Sequence, residues 1–182
     1  GNDEYAKNNN SFGLTTLRDR HAKIRGKKVT LEFRGKSGVE HEFEVEDPRL
    51  AQIAKQCQDL PGQELFQYLD ESGKVCDVGS TDVNEYLRTI TGRDFTAKDF
   101  RTLHGTILAA DALARIGPLE STRDRRRAER LAVQATASAL GNTLAVARNS
   151  YIDPRVFRMY ARGRTLDLSV SPETAIRRLF GK

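Results

Sequence analysis

The periodicities of this chain predict an α+β fold, with a small antiparallel β-sheet or hairpin followed by a mainly α-helical bundle. Three observations carry that prediction. Val29–Phe33 and Glu42–Val45 alternate apolar and polar residues on either side of a glycine-flanked turn, as half-buried strands do. From Asp47-Pro48 onward, apolar residues recur at the three- and four-residue spacing of amphipathic helices. Capping residues and glycine or proline breaks then divide that region into segments of helical length.

Residues 1–17 are polar, with Asn8-Asn9-Asn10-Ser11 as a loop. Between the two strands, Arg34-Gly35-Lys36-Ser37-Gly38 is a hairpin-type turn that projects Lys36 away from the sheet. Leu50, Ile53, Ala54 and Cys57 then form one helical stripe, broken by Leu60-Pro61-Gly62, and Leu65, Phe66 and Leu69 form a short second stripe. Asp70–Gly73 and Gly79-Ser80 bound a loop. Residues 81–91 read as a helix carrying Val83, Tyr86, Leu87 and Ile90 inward and closed by Gly92. Thr96-Ala97-Lys98-Asp99 starts the next helix as a capping box would, and it runs to about Ile116, before Gly117-Pro118. Ser121–Asp124 starts another in the same way, basic in its first turns and Ala-rich later. Pro154 opens a basic helix and Pro172 a last one. Residues 1–182 are thus read as one domain.

Composition excludes several classes. No apolar run reaches the ~18 residues that span a bilayer, so no membrane partner is expected. Cys57 and Cys76 stand apart without a CxxC or a histidine cluster, which predicts neither a metal nor a disulfide framework and favours a reducing, cytoplasmic setting. The net charge of +5 conceals a stronger pattern. Arg18–Lys36 carries eight Lys/Arg against two acids, residues 37–94 five against thirteen, and residues 95–182 sixteen against eight. Basic surface interrupted by an acidic middle suits a polyanion met on one side. Solvated helix faces can be equally Arg-rich, so charge alone leaves nucleic acid and a bare surface both open.

The stretch Leu140–Tyr151 concentrates the chemistry. Gly141 suits the left-handed residue that stops a helix, Asn142 or Thr143 can cap the next, and Asp153-Pro154 ends it just beyond Tyr151. A tyrosine at a helix end is ordinarily a packing residue, but it is also a possible nucleophile toward DNA phosphate. With a reference pKa near ~10 it needs help at neutral pH. Guanidinium groups would stabilise the charge that develops on the phosphoryl oxygens, and an acid must protonate a 5′-hydroxyl leaving group. Lys36 on its turn could be that acid, and Asn142 offers an amide donor. Lys98 and Arg101 share a helix face at i, i+3, although spacing does not single out Arg101 among the arginines. No Asp/Glu/His cluster has metal-ligand spacing, and no metal or cofactor is expected.

Four segments in order carry a family likeness: Ser11-Phe-Gly-Leu-Thr-Thr-Leu17, Phe33-Arg-Gly-Lys-Ser-Gly38 with His41, Phe95-Thr-Ala-Lys-Asp-Phe-Arg-Thr102, and Leu140-Gly-Asn through Tyr151. The sequence resembles the catalytic domain of type IB DNA topoisomerases, in the small bacterial and poxvirus-like branch. That resemblance implies an α+β catalytic domain of the kind shared with tyrosine recombinases. It also implies nicking of double-stranded DNA through a 3′-phosphotyrosyl link, swivelling, and resealing without ATP or an obligatory metal. By position it implies Tyr151 as nucleophile, Lys36 as general acid toward the 5′-oxygen, Arg101 as phosphate clamp, and Lys98 assisting it. Asn142 stands where poxvirus-type members carry His, and an amide there donates a hydrogen bond but carries no proton.

The family has a further catalytic arginine just before a stretch that Gly1-Asn2-Asp3-Glu4-Tyr5 matches, and an N-terminal DNA-clamping lobe. The resemblance therefore implies a domain fragment that binds DNA weakly and cleaves it poorly, because one missing transition-state donor costs on the order of 10²–10³ in rate. The expected form is a monomer on double-stranded DNA in the cytoplasm, associated with the nucleoid. Two alternatives stand beside it. A tyrosine recombinase more often shows His-x-x-Arg and Leu-Gly-His where this chain has Lys98-x-x-Arg101 and Leu140-Gly141-Asn142. A non-catalytic DNA-binding module would keep the fold alone.

Overall fold

A computed structural model of the chain describes residues 6, 10–35 and 38–181. It divides into two compact units, Gly1–Asp94 and Phe95–Lys182. The first holds the antiparallel sheets and the second the helical bundle, which is the α+β order the periodicities predict.

In the first unit the described residues form a three-stranded antiparallel sheet, β1 (Ala22–Arg25), β2 (Lys28–Arg34) and β3 (Glu40–Glu46), in that order. The alternation of β2 and β3 divides its two faces. Val29, Leu31 and Phe33 lie opposite Val45, Phe43 and His41, while Lys28, Thr30 and Glu32 lie opposite Glu46, Glu44 and Glu42. The apolar face meets a core of Phe12, Leu17, Ala22 and Leu65. The charged face carries Lys23–Glu32 and Lys28–Glu44 ion pairs at 2.7 and 2.6 Å, each exposed and worth ~0–1 kcal/mol. Strand β1 is an addition to the hairpin expected from the sequence. At four residues it is too short to show alternation, but Gly26, with φ +61°, begins a two-residue turn that returns the chain onto β2.

Helix α1 (Pro48–Gln58) starts where expected: the Asp47 carboxylate accepts from the Arg49 and Leu50 N–H groups, and Pro48 needs no donor there. Its buried face carries Ala51 and Ala54, while Ile53 is 51% exposed, so the stripe is rotated from the one the apolar residues suggest. The second helical stripe is also corrected. Residues 67–69 are strand β4 (Gln67–Leu69), paired with β5 (Val75–Asp77). The run after Pro61-Gly62 is too short to repay helix nucleation. The Asp70 carboxylate, accepting from Ser72 and Lys74 N–H groups, closes a hairpin turn instead. Helix α2 (Ser80–Thr91) ends at Gly92 with φ +63°, as predicted, yet Tyr86 and Ile90 on it are 64% and 57% exposed rather than inward.

In the second unit every described element is a helix. Helix α3 (Ala97–Ile116) begins with the Thr96 N–H and hydroxyl both donating to the Asp99 carboxylate. Helix α4 (Thr122–Leu140) begins with Ser121 Oγ accepting from the Asp124 N–H. The two pack through small residues, Ala109 and Ala110 on α3 and Ala128, Ala132 and Ala137 on α4, which let the backbones approach closely. After α4, one helical turn (Leu144–Val146) passes into a π-helical turn (Ala147–Tyr151). Helices α5 (Arg155–Ala161) and α6 (Pro172–Phe180) complete the core with Val156, Tyr160, Ile176 and Leu179. The buried Tyr160 hydroxyl donates to the Gly117 carbonyl at 2.8 Å, so its polar end is satisfied.

Candidate active site in the second unit

The end of α4 sets the geometry. Gly141 adopts φ +63°, and the Asn142 N–H donates to the Ala137 carbonyl at 2.9 Å, the crossed pattern of a glycine-stopped helix. The Leu140 carbonyl is left without a helical partner and lies at the negative end of the helix dipole. Two side chains answer it. Arg101 donates through Nη2, and Asn142 donates through Nδ2 at 3.3 Å. A residue on α3 and a residue past the break in α4 thus converge on one oxygen.

Tyr151 joins them. The Arg101 guanidinium carbon lies 5.0 Å from the centroid of its ring, over the aromatic face. The half-buried tyrosine is held from behind by α3. Gly105 is the closest point: a Cβ there would fall 2.5 Å from the Tyr151 carbonyl oxygen and 3.3 Å from its Cβ. At the next residue, the buried Thr106 hydroxyl donates to the Thr102 carbonyl at 2.6 Å and accepts from the Asp153 N–H at 3.0 Å. The Thr102 hydroxyl reaches the Lys98 carbonyl at 2.9 Å. Thr143 caps the turn leading to the tyrosine, its Oγ1 accepting from the Val146 N–H at 3.3 Å.

Of the residues singled out in the sequence, Arg101, Asn142 and Tyr151 are brought together. Lys98 is exposed one turn before Arg101 on α3. Lys36 lies outside the described residues. His104 is exposed. Sequence reasoning passed over Thr102, Gly105, Thr106 and the Leu140 carbonyl. A signal existed for one of them: a glycine inside a helix costs ~1 kcal/mol against alanine and so marks a possible close approach.

The electrostatics around the tyrosine are mixed. Burial raises the Asp153 carboxyl, but hydrogen bonds from Arg155 and the charges of Arg155 and Arg158 outweigh it, so the group is held below its ordinary range. The hydroxyl and N–H of Thr96 hold Asp99 down likewise. Both acids are therefore ionised at neutral pH, and the Arg155 guanidinium is tied to Asp153 at 2.8 Å. Among the described residues, no three His, Cys, Asp or Glu side chains are grouped as metal ligands.

A half-buried tyrosine at the end of a broken helix thus lies against an arginine that shares a helix-terminal carbonyl with an amide. The family model described as "Eukaryotic DNA topoisomerase I, catalytic core" matches residues 1–167, and the chain belongs to that family of type IB enzymes. It is similar to DNA topoisomerase 1B of Acanthamoeba polyphaga mimivirus, with 33% identity over 172 residues covering 88% of this chain and 50% of that protein. DNA topoisomerase 1B of vaccinia virus (strain Copenhagen) is 27% identical over 175 residues, covering 92% of this chain and 51% of that protein. The monkeypox virus DNA topoisomerase I matches to the same extent, 27% over 175 residues. The chain spans about half the length of the curated relatives it matches.

Proposed function

We propose that the chain cleaves and rejoins one strand of duplex DNA through a 3′-phosphotyrosyl intermediate, so that supercoils relax without ATP. The observation that carries this reading is the convergence of Arg101 and Asn142 on the Leu140 carbonyl beside Tyr151. In it, the Tyr151 phenol gives up its proton to solvent as its oxygen attacks the scissile phosphorus, the P–O5′ bond breaks, and Lys36 supplies the proton that the 5′-oxygen takes up. Arg101 clamps the phosphate and stabilises the charge gathering on its oxygens, with Lys98 adding positive charge from the preceding turn. Asn142 donates a hydrogen bond to a phosphate oxygen and moves no proton. Religation runs the same steps backward, with the 5′-hydroxyl as nucleophile.

The partner is double-stranded DNA and the acting form a monomer. Asn142, where poxvirus-type members carry His, supports a place in the bacterial branch and action on nucleoid DNA in the cytoplasm. No described helix is long and apolar enough to cross a membrane.

The test uses a suicide duplex whose cleaved 5′ end diffuses away, so that even slow cleavage accumulates as a covalent adduct. The expected outcome is an adduct mapped to Tyr151, abolished in Tyr151→Phe while DNA affinity stays within about twofold. No adduct after prolonged incubation would make the chain a binding module, and an adduct that survives Tyr151→Phe would move the nucleophile elsewhere.

A further inference from the structure

Arg123, Arg126 and Arg130 stand at i, i+3 and i+7 on α4 and therefore share a face. With Thr122, Glu129 and Arg148, which comes from the π-helical turn, they line a depression of about 740 Å³. The single carboxylate there, Glu129, approaches Arg148 at 3.7 Å. Among the described residues, Arg123, Arg126 and Arg130 have no ion-pair partner. Arg115, Arg155 and Arg178 of this unit are compensated, by Asp111 at 2.7 Å, Asp153 at 2.8 Å and Asp167 at 3.4 Å; what sets Arg123, Arg126 and Arg130 apart from the remaining unpaired arginines is that they line one depression together. Even Arg125, amid the cluster, donates to the Leu119 and Glu120 carbonyls at 3.2 and 2.9 Å.

Helix electrostatics oppose this arrangement. Arg126 and Arg130 form a like-charge pair at i, i+4, and Arg123 sits in the first turn, where the helix dipole repels cations. A bound anion removes both penalties. A concave surface also focuses the field of its charges, and guanidinium forks match phosphate oxygens. The depression is separate from the site at Tyr151. Arg130 precedes Leu140 by ten residues on α4, so at the helical rise it stands roughly 15 Å from the carbonyl that anchors Arg101.

We propose that this depression is a second phosphate site, taking backbone phosphodiesters of duplex DNA about four base-pair steps or more from the scissile one. It rests on the reading of the chain as DNA-acting. Because Arg148 belongs to the turn that carries Tyr151, a phosphate held there also ties the nucleophile's segment to the duplex.

Binding is measured as a function of salt on the Tyr151→Phe chain with a plain duplex. Replacing Arg126→Gln and Arg130→Gln together is expected to weaken binding and flatten the slope of log K against log salt by about 1.8, two phosphates' worth. Arg126→Lys with Arg130→Lys keeps the charges and is expected to keep the slope, which separates lost charge from lost folding. Arg115→Gln with Arg178→Gln removes as much charge from ion-paired positions and is expected to leave the slope within about half a unit. An unchanged slope in the first pair overturns the proposal. So does an equal loss in both glutamine pairs, which would report net charge alone, or the absence of salt-dependent binding in the parent. The cleavage reading is decided by the Tyr151 adduct, in which this equilibrium measurement has no part.

Discussion

Arg101 has a guanidinium with five N–H donors, of which one goes to the Leu140 carbonyl. In the proposed reaction, the anchor fixes the fork's orientation before any phosphate arrives, which is what makes a transition-state donor effective. Arg101→Ala is therefore expected to lower single-turnover adduct formation by about 10²–10³ while weakening DNA binding far less. Arg101→Lys should recover little, because an ammonium cannot hold the carbonyl and a phosphate in one plane. A loss confined to affinity would place Arg101 outside the chemistry. In the first unit, His21 is buried, and its Nδ1 accepts the Arg18 N–H at 2.9 Å, which requires that nitrogen unprotonated. Burial, then the charges of Arg20 and Arg18, push its pKa below the ordinary 6.5. The unfolded chain thus takes up this proton first as pH falls. His21 stabilises the fold fully above about 6.5, and its contribution declines from there toward the depressed folded value, by at most ~1.4 kcal/mol per pH unit. Burial raises Asp19, whose contribution runs the opposite way, present near pH 3.8 and lost as pH rises through its folded value. Melting temperature between pH 8 and 5.5 should fall in the wild type and fall less in His21→Gln. Equal slopes would remove His21 as the cause.

Helix α3 works as the backing plate of the tyrosine. Residues 101, 105 and 106 lie toward one face, and each meets the segment 140–153 differently: a guanidinium on a carbonyl, a glycine against backbone, a buried hydroxyl accepting an N–H. Gly105→Ala sets two magnitudes against each other. Helix propensity gains ~1 kcal/mol, and overpacking typically loses ~1–3. The new methyl would meet the Tyr151 carbonyl oxygen at 2.5 Å, a backbone atom that has no rotamer in which to retreat, so overpacking wins. The variant should melt at lower temperature and form adduct more slowly, with DNA affinity changed much less. A gain in melting temperature with unchanged cleavage would show that the approach is loose. The break after α4 serves the same end. Gly141 stops the helix at the point where its last carbonyl can take two side chains, and the π-helical turn that follows delivers Tyr151 to the face of α3.

Each unit has a core of its own. Phe12, Leu17, Ala22 and Leu65 serve the first, while Leu113, Val156, Tyr160, Ile176 and Leu179 serve the second. A polypeptide of residues 95–182 is therefore expected to fold alone, with helical circular dichroism and a cooperative thermal transition. A broad, non-cooperative melt would show that the bundle needs the first unit. The charge pattern follows the same division. Sixteen Lys/Arg against eight acids fall in residues 95–182, and the acidic stretch 37–94 belongs to the first unit. Among the described residues of the second unit, that basic excess resolves into four arginines tied to acids, Arg115, Arg148, Arg155 and Arg178, and a larger number that are not.

Most of what is local could be read from the sequence by itself. The capping signals at Asp47, Thr96-Asp99 and Ser121, and the stops at Gly92 and Gly141, act over a few residues, and each of these elements begins or ends there. The β2–β3 hairpin was equally visible, because seven-residue strands are long enough to show alternation. Strands β1, β4 and β5, at four, three and three residues, are not. Burial was less legible than periodicity. Ile53, Tyr86 and Ile90 are apolar at helical spacing yet exposed, because which part of an apolar stripe turns inward depends on the neighbours that cover it. Motif resemblance could name Arg101, but nothing local distinguishes it from the other arginines. That choice belongs to tertiary structure: small residues let α3 and α4 close together, and only then does residue 101 meet the carbonyl of residue 140 and the ring of residue 151.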